Sequence, residues 1–203
     1  MRFESDNALA FVNATMLDTN ATSLRIVGER IASIGEAPRP RDVLIDLHGD
    51  LLLPGLINAH DHLELNNFPR TKHRERYANA REWIADIEQR FDTDPAIVAA
   101  RAVPLNDRLL IGGLKNLLSG VTTVAHHNPL HPALRQSHMV SLPVLSGAEG
   151  SNHPVRVVQH YGWAHSLLID GEAKVAASYR KTRKDWPWII HLAEGVDDEA
   201  ARE

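Results

Sequence analysis

Short apolar-rich runs, of which Ser23–Val27 and Arg30–Ile34 alternate with polar residues, recur through the first fifty positions. Ala8–Val12, Ser23–Val27, Arg30–Ile34 and Asp42–Leu47 each read as a strand, and turn residues such as Gly28-Glu29, Gly35 and His48-Gly49-Asp50 separate them. This pattern predicts a β module over residues 1–50. At Leu51 the pattern changes. Leu51–Ala59 is almost continuously apolar, as expected of a strand buried on both faces. Trp83, Ile84, Ile87 and Phe91 then recur at helical spacing within Asn79–Phe91. Asp94-Pro95 has the form of an N-cap followed by proline at the first helical position. A helical pattern continues from there to about Leu118, with a kink expected at Pro104, and Ser119-Gly120 closes it. Val121–His126 and Val155–His160 read as strands, Gly171–Lys184 as a helix and Trp186–Ala193 as a strand. Strands alternating with helices predict an α/β class, with a parallel sheet and crossover helices over residues 51–203.

Composition narrows the chemistry. The 203 residues carry 22 Lys+Arg against 26 Asp+Glu, a formal charge of −4. A nucleic-acid binder would show a basic face instead, so a small-molecule substrate is the expected partner; a homo-oligomer is left open. With no Cys, disulfides, thiolate metal sites and a Cys nucleophile are excluded. Any metal must therefore be held by carboxylates and by some of the 12 His. The longest apolar run, Leu51–Ile57, is interrupted by Pro54 and Gly55 and falls well short of the ~20 residues a membrane helix needs. Met1–Asp6 contains no apolar signal segment, so a cytoplasmic location is expected. Gly147-Ala148-Glu149-Gly150-Ser151 does not make the G-x-S-x-G elbow of a serine hydrolase.

Three segments could carry chemistry. His60-Asp61-His62 closes the Leu51–Ala59 run, and residues two apart on a strand face the same side, so both rings can reach one cation. Imidazole suits Zn, Fe and Ni. H-x-H pairs are common on surfaces, but the C-terminal end of a parallel strand is where α/β barrels keep their active sites. His191 ends a second apolar strand and could supply a third imidazole. Glu194 lies just beyond it, where a carboxylate either faces solvent or takes a proton from a metal-activated water. Val121–His126 ends in His126-His127, one of which should point inward by alternation; a ring satisfied by a backbone carbonyl is the equal alternative. His165 invites the same two readings.

Pro54-Gly55-Leu56-Ile57-Asn58-Ala59-His60-Asp61-His62, Gly120-Val121-Thr122-Thr123-Val124 and His191-Leu192-Ala193-Glu194, in this order, resemble the amidohydrolase superfamily. The cytosine deaminase-like and chlorohydrolase-like branch is the most similar. Ile31-Ala32-Ser33-Ile34-Gly35 and Asp46-Leu47-His48-Gly49 look like that family's N-terminal sandwich strands. The resemblance implies a (β/α)8 TIM barrel flanked by a β-sandwich, with residues 1–50 as the sandwich part and 51–203 as the N-terminal half of the barrel. It implies His60, His62 and His191 as ligands of one divalent metal ion, Zn or alternatively Fe. Glu194 is the implied proton shuttle. Lys174, Lys181 and Lys184 fall in the helical stretch or at its end, which favours the single-metal branch over the one that bridges two metals with a carboxylated lysine. The implied reaction is attack of activated water on a C–N bond of a small heterocyclic or amidine substrate. A chlorohydrolase-type C–X hydrolase is an alternative. Family members also use a later His and an Asp, from strands 6 and 8, and the chain ends nine residues after Glu194. A complete barrel takes about 250 residues, so truncation after strand 5 is expected. A catalytically incomplete fragment that at most binds metal is the other reading.

Overall fold

A computed structural model describes residues 8–28, 30–135 and 154–203. Met1–Asp6, Glu29 and Gly147–Ser151, used above, lie outside the described residues. The chain divides into two compact units, one reaching to Gly55 and the other beginning at Leu56.

In the first unit, β1 (Leu9–Val12) pairs antiparallel with β3 (Leu24–Val27) and parallel with β5 (Val43–Asp46), and β4 (Arg30–Ile34) adds antiparallel to β3. Two short strands, β2 (Thr15–Met16) and β6 (Leu51–Leu52), form a separate parallel pair. Arg25 grips Asp42 through a two-pronged ion pair, Nε to Oδ2 at 2.8 Å and Nη2 to Oδ1 at 3.0 Å. That guanidinium, helped by the Arg39 N–H, holds the Asp42 carboxyl down at about 2.

The expected single strand over Leu51–Ala59 is in fact two. The run breaks at Leu53-Pro54-Gly55, and β7 (Leu56–Asp61) belongs to the second unit. Pro54 has no N–H to give a ladder, so it ends pairing there. Nor is β7 buried on both faces. It is the edge of a parallel sheet of order β7-β8-β9, where β8 is Val121–His126 and β9 is Arg156–Val157, and Ile57 remains 72% exposed.

Three helices lie between β7 and β8. Asn79 caps α1 (Ala80–Glu88) by accepting from the Glu82 N–H, and Asp94 caps α2 (Pro95–Ala102) by accepting from the N–H groups of Ala96 and Ile97. The kinked helix expected across Pro104 is two helices, α2 and α3 (Leu105–Leu118). Val103 is extended, with ψ 130°, because a residue before proline is pushed out of the helical region. Gly171, with φ 76°, likewise separates α4 (Leu167–Asp170) from α5 (Glu172–Lys181). The last expected strand shortens to β11 (Trp188–Ile189), paired in parallel with β10 (Gly162–Trp163). Pro187 cannot donate, so the ladder starts after it. The described strands form no closed barrel. No described helix is long and apolar enough to cross a membrane.

Leu63, Leu109, Val124, Leu134, Val155 and Val157 form the buried cluster of the second unit. Leu63 lies immediately after His62, so this packing sets the position of the loop that follows β7. Gly112 of α3 makes that approach close: a Cβ there would stand 2.3 Å from the Leu63 carbonyl oxygen. Gly112→Ala is therefore expected to destabilise the chain by about 1–3 kcal/mol in urea denaturation, the usual range for overpacking, and to shift the loop that follows His62.

Candidate metal centre

His60 and His62 leave the end of β7 on one side, and Asp61, between them, faces the other. Three amides hold Asp61. Asn66 donates to its Oδ1 at 2.7 Å, and Asn116 and Asn58 donate to its Oδ2 at 2.6 and 3.1 Å. Asn116 comes from α3, so the carboxylate pins the strand end to the helix behind it. The sequence analysis assigned Asp61 no role; its position inside H-x-H, flanked by asparagines, was the available signal.

His191 arrives two residues after β11, and its N–H donates to the His165 carbonyl at 2.8 Å. The structure brings these three rings together. His60 Nε2 lies 3.2 Å from His62 Nε2 and 3.0 Å from His191 Nε2. Nitrogens bound to one tetrahedral ion at about 2.0–2.1 Å are about 3.3 Å apart, so the donor set fits a divalent cation of the zinc kind. His127 joins the cluster, with one nitrogen of each of the four rings within 4.8 Å of every other. His165 is the outlying fifth ring, its centroid 5.7 Å from that of His127 and 6.4 Å from that of His62.

Burial, and then the neighbouring His60, pushes the His62 ring down to about 4. Burial also brings His127 to about 4, against the opposing pull of the Ala164 carbonyl. His62 and His127 are thus neutral near neutral pH, as metal ligands must be. An unfolded histidine titrates near 6.5, so between 6.5 and 4 the unfolded chain binds protons that the folded chain refuses. This part of the stability is complete above about pH 6.5 and is lost as pH falls toward 4. The urea midpoint of the metal-free chain is expected to drop between about pH 7 and pH 5; a flat profile would show that these rings are not desolvated.

Glu194 lies in the loop after His191, with Oε2 3.8 Å from His191 Nδ1. Backbone bonds hold this loop: Ala80 N–H to Glu194 O and Val196 N–H to Ala78 O, both 2.8 Å. Glu194, His60, His62 and His191 line one cavity of about 760 Å³, whose remaining wall includes Phe68 and Trp83.

His126 and His127 are both fully buried, although alternation pointed only one of them inward. His126 turns toward a different partner. The Leu63 N–H approaches its Nδ1 at 3.4 Å, which leaves the hydrogen on Nε2, 3.7 Å from Glu64 Oε2. Burial lowers His126, and Glu64 opposes that shift. Although burial works to raise Glu64, His126 and the Asn128 amide hold its carboxyl low. Asn128 Nδ2 donates to Glu64 Oε1 at 2.6 Å, and Asn128 also lines the cavity. The Glu64–His126 pair thereby orients a polar group of the cavity wall.

No family model matches the sequence. Over 106 residues, 52% of this chain and 21% of the relative, the chain is 33% identical to isoxanthopterin deaminase from an unknown prokaryotic organism. Among solved structures it is similar to N-isopropylammelide isopropylaminohydrolase from Burkholderia multivorans ATCC 17616, at 24% identity over 60% of this chain and 29% of that one, with a TM-score of 0.44. It is also similar to molinate hydrolase, at 22% identity over 79% and 32% of the two chains, with a TM-score of 0.43. The chain thus spans about a fifth of the curated relative's length. The motifs around His60, Thr122 and His191 that resemble the amidohydrolase superfamily are accompanied by this sequence likeness to a deaminase.

Proposed function

We propose that the protein is a metal-dependent hydrolase that uses water to break a C–N bond of a small heterocyclic or amidine substrate. His60, His62 and His191 hold one divalent ion, Zn in the first instance and Fe as the alternative. The observation that carries this reading is the meeting of their Nε2 atoms, at 3.0 and 3.2 Å, on the wall of a cavity that Glu194 shares. When bound, such an ion supplies Lewis-acid activation of water near neutral pH. Glu194 then carries the proton. It accepts one from the attacking water as the C–O bond forms, and returns it to the nitrogen that departs as the C–N bond breaks. Phe68 and Trp83 offer apolar faces suited to a planar ring. In this reading residues 1–50 are part of a β-sandwich, and 51–203 are the first half of a (β/α)8 barrel. The parallel β7-β8-β9 order, with helices in the first connection, supports that assignment.

Ammonia release from aminated pterins, pyrimidines and triazines tests the reading, on the chain and on the longest reading frame that contains it. Turnover should vanish on chelation and return with zinc. Turnover that survives both chelation and His191→Asn would overturn the proposal.

A further inference from the structure

We infer that His127 is a fourth protein ligand of this centre and binds through Nδ1; the inference rests on the metal reading above. His127 follows β8, and its backbone N–H donates to the Asp61 carbonyl at 2.7 Å, which ties it to the residue between His60 and His62. Its ring is fully buried. Nε2 sits 2.9 Å from the Ala164 carbonyl oxygen. A carbonyl only accepts, so Nε2 carries the hydrogen and Nδ1 holds the lone pair. That Nδ1 is buried with no hydrogen-bond partner among the described residues. The ring centroid lies 4.4 Å from that of His191 and 4.5 Å from that of His60. A buried acceptor with no donor is costly, and a cation shared with the other three rings removes that cost. The Ala164 carbonyl is the kind of outer partner that fixes the tautomer of a metal-binding histidine. His126, one residue earlier, shows the contrast: it holds the same Nε2–H tautomer, but the Leu63 N–H occupies its Nδ1 lone pair and the ring turns to Glu64. Four neutral imidazoles leave the full charge of the ion in place. They favour Zn, Co, Ni or Cu over Mg or Ca.

Side-chain ¹⁵N spectra of the histidine-labelled chain, recorded during zinc titration, test the inference directly. Expected is a shift of His127 Nδ1 with its Nε2–H retained, alongside Nε2 shifts of His60, His62 and His191. In equilibrium dialysis, His127→Gln should raise the zinc dissociation constant about tenfold or more while one ion per chain still binds. Zinc bound with His127 Nδ1 unmoved, or with unchanged affinity in a folded His127→Gln, overturns this assignment and leaves the three-histidine reading standing. No zinc bound by the wild-type chain overturns both. Should His127→Gln fail to fold by circular dichroism, the wild-type spectra decide.

Discussion

Glu194→Gln is expected to lower turnover by about 10²–10⁴-fold while leaving metal content and fold unchanged. The amide keeps the size and the hydrogen-bonding shape of the carboxylate but cannot accept and return a proton. Its position should survive the change, because the loop is held by main-chain bonds from Ala80 to Glu194 and from Val196 to Ala78, not by the side chain. Elemental analysis and thermal unfolding check the first half of the expectation, and ammonia release in the longest active form of the protein checks the second. Near-normal turnover would remove Glu194 from the reaction. Gly195→Ala is the complementary variant. A Cβ there would lie 2.6 Å from the Ala78 carbonyl oxygen, so it should move the Glu194 loop and lower turnover with the carboxylate intact.

His60→Ala is expected to abolish retention of zinc through dialysis against a chelator. Its Nε2 is the common neighbour of the His62 and His191 nitrogens, and without it those two rings sit on separate segments with no shared contact of this kind. The loss should exceed the about 10–100-fold that removing a supporting residue around a metal site costs. His48→Ala is the control. His48 is an exposed turn residue of the first unit beside Asp46, and removing it should leave zinc content unchanged. Equal zinc content in His60→Ala and wild type would mean that the ion, if bound, sits elsewhere.

The parts of this arrangement that rest on local chemistry were legible in the sequence. Alternation placed His60 and His62 on one side of a strand, and the cap at Asp94 was visible as a residue type. Long-range facts were not. Apolar content marked Leu51–Ala59 as strand, but it could not say that β7 would sit at a sheet edge with Ile57 open to solvent. The break at Pro54 was chemically visible, and continuous hydrophobicity outweighed it in the reading. At His126-His127 alternation indicated that one ring would face the site but not which one, because the strand ends at His126. Beyond that point the side is set by hydrogen bonds, the Asp61 carbonyl to one residue and the Leu63 N–H to the other, whose partners lie more than sixty positions away. The support of Asp61 by Asn116 across 55 positions was invisible for the same reason.

The most direct test of the account is an anomalous difference map at the zinc edge, from crystals of the zinc-loaded chain. The account predicts a peak enclosed by His60, His62 and His191, with nitrogen distances of about 2.0–2.1 Å. A map with no peak there, and the three imidazoles hydrogen-bonded only to one another or to water, would contradict it.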